Sequence, residues 1–505
     1  MNLFEIQGDL RYVALFVLAL VPLVVANNTD RLSRGWSLVL IGNLLIFLTL
    51  LLPAGAAAQL LDGAEALFEE GTRISNPRIF TSAAIAISML GGYIIMFGGL
   101  LDLGDEGVAG WQRGFAASAG ALLVVIFLLN GSLDIYSIMV EFYQRGETLG
   151  QRFVEHIVFV LVSLAAGLII GIALGLWAAR DRNMEDIILY TVGIIQTIPS
   201  LALFGVLLVP LARLGDQQLS SVLTFFIITL VIGLVVFFIV SRLQSLLTGV
   251  LQQLSVIVAF IALFIPVGLF SILLITFGFE AVLTVFADPA LNQSLTLVGL
   301  GYVAVIFILW LDRRIDEANT VRWLRYVRLA LTAVSTVALV VLIVLGGREV
   351  IGNNSFSELS MRDLGVSGIG TAPAIIALTL YSLLPLVRNT YAGLRNVDPA
   401  VIDSGRGMGM TPAQIFFQIE LPLAFPIIMA GIRNAGISLV GIAAVASIIG
   451  AGALGDFILL GVNTTSVDLI LLGALPAIVL AVLLDGLMQF LEALFTSPGI
   501  QRPGQ

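Results

Sequence analysis

The chain of 505 residues is 59% hydrophobic and 11% charged, with a mean hydropathy of +1.07, and no water-soluble domain folds from that composition without very large exposed apolar patches. It has no cysteine, which excludes disulfides, thiolate metal sites and iron–sulfur ligation, and its single histidine, His156, cannot form a zinc site alone. All 24 basic residues are arginine, so a P-loop with its phosphate-binding lysine is excluded, and the net charge of −9 lies largely in short loops.

The apolar runs approach the roughly 20 residues that span a bilayer and are rich in Leu, Ile, Val, Ala and Gly, which predicts an all-α polytopic membrane protein. About thirteen spans are expected, near 12–27, 36–60, 79–101, 112–131, 153–178, 187–211, 221–240, 253–277, 294–311, 328–346, 371–391, 425–449 and 467–495. The opening MNLFEIQGDLR carries acids at Glu5 and Asp9 and no basic run, so the first span reads as a retained anchor rather than a cleaved signal peptide. Arg31 and Arg34 follow that span, Arg180 and Arg182 the fifth, Arg242 the seventh, Arg313, Arg314, Arg322, Arg325 and Arg328 the ninth, and Arg388, Arg395 and Arg406 the eleventh. With thirteen alternating spans these loops share one side, which the arginine bias makes cytoplasmic, leaving the N-terminus outside and the C-terminus inside. The acidic loop LDLGDEGVAG at 101–110 runs against this pattern.

The fifth span carries Gly167, Gly171 and Gly175 on one face, a row suited to close approach by a neighbouring helix. Glu155 and His156 are expected to open this span near the external surface. In the sixth, Gln196, Thr197, Ile198, Pro199 and Ser200 put polar groups and a helix-breaking proline at membrane depth, where irregular backbone lines a path or forms a simple kink. Tyr381 of the eleventh span joins these as a possible path residue, although it and Tyr391 also fit packing roles. Ionisable residues at depth are sparse, with Asp485 inside the final apolar run and Arg433 within the twelfth span, some way in from its cytoplasmic end.

Between the last apolar runs lies DPAVIDSGRGMGMTPAQIFFQIELPLAFP at 398–426. Asp398 and Pro399 form an N-cap with proline at the first helical position, and Gly405, Gly407 and Gly409 follow as candidate left-handed stops. Thr411, Pro412 and Gln414 form a capping box that opens a second helix, expected to end at Leu421-Pro422. Two short helices around a glycine bend make a rigid projection suited to transmitting force, with Val401, Ile402, Ile415, Phe416, Phe417 and Ile419 as apolar contacts and Asp403, Arg406 and Glu420 as polar ones.

This segment resembles the cytoplasmic signature of permease subunits of bacterial ABC importers, E-A-A, then glycine, then I-x-L-P. Asp403 takes the acidic position, Asp403-Ser404-Gly405 stand where E-A-A is usual, and Gly409, Ile419, Leu421 and Pro422 fall on the other anchors without a gap. The passages at 156–181, 194–212, 368–411 and 448–461 resemble the permeases of glycine betaine, choline and carnitine importers, a likeness covering loosely about half the chain. The resemblance implies a five-helix type I core in two parts, 150–215 and 367–497, with a coupling element at 398–422, an accessory block of four helices at 1–140 and an inserted block of about four at 216–366. It further implies that Asp403, Ser404, Gly405, Arg406, Gly409, Thr411, Ile419, Leu421 and Pro422 form the ATPase-coupling surface.

The implied partners are two ATPase subunits that use ATP and Mg, a second permease copy or paralogue, an external substrate-binding protein and the lipid of a bacterial plasma membrane. No cofactor, metal or nucleic acid is expected on this chain. An importer of another small polar solute, such as an amino acid, is the nearest alternative. An ion-coupled carrier would want a charged relay at mid-depth and paired broken helices, neither of which is evident, and a lipid-modifying enzyme would want a catalytic constellation that one histidine and no cysteine do not supply.

Overall fold

A computed structural model describes residues 30–65, 83–130, 136–243, 250–314, 322–352 and 358–495, with scattered positions between 18 and 27. The described residues are helical apart from turns, short irregular stretches and isolated bridge positions, among them an antiparallel bridge between Gln218 and Ser360. The chain divides into two compact units, one of residues 1–149 with 460–472 and one of residues 150–459 with 473–505.

In the first unit, α1 (Arg31–Glu65) starts where the Asp30 carboxylate accepts from the Ser33 amide at 3.3 Å, an N-cap whose hydrogen bonds hold the Asp30 carboxyl below its ordinary range. It packs antiparallel on α2 (Ala83–Asp105) through small residues. A Cβ at Gly42 would sit 2.5 Å from the Gly92 carbonyl oxygen, so the backbones approach as only glycine allows. At one end Arg34 donates two hydrogen bonds, of 2.7 and 2.8 Å, to Asp102, and Arg31 lies 3.7 Å from Asp105. That pairing explains the acidic loop at 101–110, whose carboxylates face the arginines at 31 and 34. The third helix, α3 (Gly110–Leu129), is tied in by Asn43, which donates to the Ala116 carbonyl at 2.9 Å.

The fifth expected span is the C-terminal part of a much longer helix, α4 (Ser137–Arg180), whose 44 residues reach roughly 66 Å. Its charged first turns stay helical, with Glu141 and Arg145 paired across one turn at 2.9 Å, so Glu155 and His156 do not open the helix. The sixth expected span, 187–211, is likewise not one rod. It is α5 (Arg182–Thr197) and α6 (Ser200–Gly215), bent by 100° at Ile198-Pro199. Proline has no amide to continue the ladder and disfavours α geometry in the residue before it, so the chain turns there.

Four helices follow: α7 (Leu219–Leu243), α8 (Val250–Ala287), α9 (Pro289–Arg314) and α10 (Arg322–Ile351). The chain enters and leaves this stretch at one point. The Leu219 amide donates to the Leu359 carbonyl at 2.8 Å, the Met361 amide to the Gln217 carbonyl at 2.9 Å, and Arg362 pairs with Asp216 at 2.6 Å. Of the arginine-rich stretch 313–328, residues 315–321 lie outside the described residues, and the rest ends α9 and begins α10.

The remaining elements are α11 (Thr371–Arg395), α12 (Pro399–Gly407), α13 (Pro412–Ile415), α14 (Leu421–Val445), α15 (Gly455–Asn463) and α16 (Val467–Phe495). Of the α11 span 72% is buried, against at most 39% of any other, which makes it the axis of the second unit. Gly167, Gly171 and Gly175 of α4 lie against Ser382, Leu386 and Thr390 of α11, so the glycine row serves helix packing. One apolar cluster joins Phe159 of α4, Phe204 of α6, Leu378 of α11, Leu439 of α14 and Leu484 of α16, and Phe279 of α8 packs into it with its ring tilted by 35° to that of Phe159 and the ring centres 4.7 Å apart.

Among the described residues ten helices are long and apolar enough to cross a membrane, or eleven if the bent pair α5–α6 counts as one span. The expected thirteen are not reached. The run 12–27 lies outside the described residues except for scattered positions, and 112–131 falls in α3, which is not among the ten.

Candidate functional site

The segment after α11 is built from two caps and one glycine. The Asp398 carboxylate accepts from the Ala400 amide at 2.8 Å and opens α12, while Thr411 and Gln414 exchange hydrogen bonds in a complete capping box that opens α13. Between them Gly409 has φ of +79°, with its amide bonded to the Arg406 carbonyl at 2.9 Å and the Met410 amide to that of Gly405 at 3.1 Å. The three glycines differ in role. Gly405 is buried at the crossing of the two helices, where a Cβ would lie 2.8 Å from Ile419 Cδ1; Gly409 sets the turn; Gly407 meets neither demand.

The second helix does not end at Leu421-Pro422. A π-helical turn at Phe416–Glu420, with the Leu421 amide bonded to the Phe416 carbonyl, absorbs the proline, and the chain continues into α14 as one span from Pro412 to Ile449. Outward from the bend point Met408 and Phe417, at 74% and 64% exposure, with Val401 also exposed. Asp403 and Arg406 pair at 3.0 Å on the same exposed helix, and Ser404 bonds back to the Ala400 carbonyl at 2.7 Å. Thr411 is exposed at its cap, Ile415 is buried, and Ile419 and Leu421 are half-buried.

Arg180, not assigned to this element from sequence, and Glu420, expected there as an outward polar contact but in fact buried, hold it in place. Glu420, only 8% exposed, accepts a hydrogen bond from Arg180 at the end of α4, and the Arg180 guanidinium stands 5.3 Å from the centre of the Phe416 ring. With 240 positions between Arg180 and Glu420, no local signal in the sequence links them.

At the α5–α6 break, Gln196, Thr197 and Pro199 are exposed and Ser200 is half-buried. Tyr381 is buried and donates its hydroxyl hydrogen bond to the Ile198 carbonyl, so it meets the break directly; Tyr391 donates to Glu185 of α5. An open cleft of about 990 Å³ runs along α5, lined by Asp186, Tyr190, Ile194, Thr197 and Arg388 among others. Of the expected path residues Thr197 borders it, while Gln196, Pro199, Ser200 and Tyr381 do not.

Between α14 and α16, Arg433 and Asp485 pair with each other through two hydrogen bonds while staying about a third exposed, and Gln489 donates to the same carboxylate at 2.9 Å. His156 is fully buried rather than interfacial, with Nε2 3.1 Å from the Val440 carbonyl oxygen. That contact requires the proton on Nε2 and leaves Nδ1 without a hydrogen-bond partner.

Residues 320–497, which include the bent segment, match the family of binding-protein-dependent transport system inner membrane components. The chain is 48% identical over 135 residues to a choline transport system permease protein of Bacillus subtilis, covering 27% of this chain and 62% of the relative. It is 49% identical over 128 residues to a carnitine transport permease protein of Listeria monocytogenes, covering 25% and 57%. A glycine betaine/carnitine/choline transport system permease protein of Bacillus subtilis is 46% identical over 134 residues, covering 26% and 62%. The matched stretch thus spans about three fifths of the length of these relatives.

Proposed function

We propose that this chain is the membrane permease subunit of a bacterial ATP-binding-cassette importer for osmoprotectants such as glycine betaine, choline or carnitine. The observation that carries the reading is the doubly capped, bent helix pair at 398–422, which has the coupling-signature spacing and sits inside the matched segment. Asp403, Ser404, Gly405, Arg406, Gly409, Thr411, Ile419, Leu421 and Pro422 form this element, and Met408 and Phe417 offer apolar anchors to an ATPase cleft.

In this reading two ATPase subunits bind ATP and Mg, a second permease copy or paralogue completes the path, and an external binding protein delivers the solute. The protein lies in the plasma membrane with its N-terminus outside and its C-terminus in the cytoplasm. The five-helix type I core consists of α4, the α5–α6 pair, α11, α14 and α16, and switches between inward- and outward-facing packings when the ATPases close. Gln196, Thr197, Pro199, Ser200 and Tyr381 mark the part of the path where α5 breaks. Arg433 and Asp485, two of the few ionisable residues named within spans from sequence, pair with each other, which supports an ATP-driven permease over an ion relay.

The test is reconstitution with ATPase and binding-protein partners in lipid vesicles. Uptake of labelled betaine or choline that requires ATP and the binding protein is expected. Uptake by the chain alone under an ion gradient overturns the proposal.

A further inference from the structure

Arg180 is the last residue of α4, and α5 begins at Arg182 with Asp181 alone between them. The Asp181 amide bonds to the Trp177 carbonyl at 3.0 Å, and its own carbonyl accepts from Met184 and Glu185 at 3.1 and 3.0 Å, so the two helices meet at a stiff corner. From that corner the guanidinium reaches the coupling element twice, by hydrogen bond to the buried Glu420 and by its face over Phe416. Both partners belong to the π-helical turn that joins α13 to α14. At its other end α5 stops at the break where Tyr381 holds the Ile198 carbonyl.

We propose that Arg180 is the positioning residue through which displacement of the coupling element turns the α4–α5 corner and so moves the broken helix; this rests on the ATPase-coupling reading above. The geometry asks one side chain to donate in its plane and to stack with its face. A guanidinium does both, whereas an ammonium supplies only the charge. A carboxylate buried in an irregular turn is costly unless paired, which favours keeping the contact as the turn moves. Motion of residues 416–420 therefore pulls on the corner directly, in parallel with the path along α14.

The experiment compares Arg180→Lys and Phe416→Leu with the unmodified chain, assembled with ATPase and binding-protein partners in vesicles, reading assembly, ATP hydrolysis and solute moved per ATP. Both variants are expected to assemble and hydrolyse ATP, with solute per ATP reduced at least about fivefold for Arg180→Lys and less for Phe416→Leu. An unchanged ratio in Arg180→Lys overturns the proposal, as does failure of that variant to assemble where the unmodified chain assembles, since Arg180 then serves docking or folding. Failure of the unmodified chain to form an ATP-hydrolysing complex overturns the coupling reading itself.

Discussion

Replacing Gly409 or Gly407 by alanine makes the same chemical change two residues apart, with opposite expected outcomes. A Cβ at either position meets no atom within 4 Å, so neither variant clashes and only backbone preference separates them. Gly409 holds φ of +79°, where an L-residue costs about 1 to 2 kcal/mol, whereas Gly407 lies in the last turn of α12, where alanine gains roughly 0.5 to 1 kcal/mol. For Gly409→Ala the equilibrium constant for the bent over the unbent element falls about 5- to 30-fold. With permease abundance matched in the membrane, ATP use and solute uptake are measured together. Gly409→Ala is expected to lower uptake per ATP, Gly409→Val to lower it further, and Gly407→Ala to equal or exceed the parent. Equal effects at both positions, or the reverse order, refute the assignment of the bend to Gly409.

Gly171→Leu is expected to lower the thermal midpoint in detergent by an amount equivalent to about 1 to 3 kcal/mol or more, because even its Cβ would lie 2.8 Å from Leu386 Cβ; an unchanged midpoint contradicts the α4–α11 contact. Tyr381→Phe removes the donor to the Ile198 carbonyl and is expected to cost about 0.5 to 1.5 kcal/mol on the same assay, with no loss if that carbonyl finds water instead. The turn at 358–364 is expected to respond to acid. Asp363 accepts from the Ser360 hydroxyl and amide at 2.7 and 2.8 Å, which hold its carboxyl below the usual range. Its contribution is therefore fully present above about pH 4 and lost as pH falls through the lowered folded value. Hydrogen exchange at the Ser360 amide reads this directly, and protection that persists after the carboxyl is protonated contradicts it.

What was legible in the sequence was local. Both caps of the 398–422 segment depend on residues two or three positions apart, and they stand where their spacing places them. Apolar length gave the helical membrane class for the same reason. The π-helical turn at Phe416–Glu420 was not legible, because a proline inside an apolar run reads as a stop unless the register shift that absorbs it is visible. Pro199 was legible as a breaker, but not the 100° turn, which depends on what packs against both arms. The charged start of α4 hid a helix that lipid-scale hydropathy does not detect. Contacts between distant segments, such as Arg180 with Glu420 and His156 with the Val440 carbonyl, have no periodic signature.

The central claim is that the bent element at 398–422 receives mechanical work from an ATPase. Because the chain has no cysteine, a single Met408→Cys substitution places one unique thiol on the most exposed large apolar side chain of that element. A short thiol-directed photo-crosslinker at this position should capture the ATPase subunit in assembled vesicles. Modification of that thiol by an impermeant reagent from outside intact cells, with no ATPase adduct, would contradict the account.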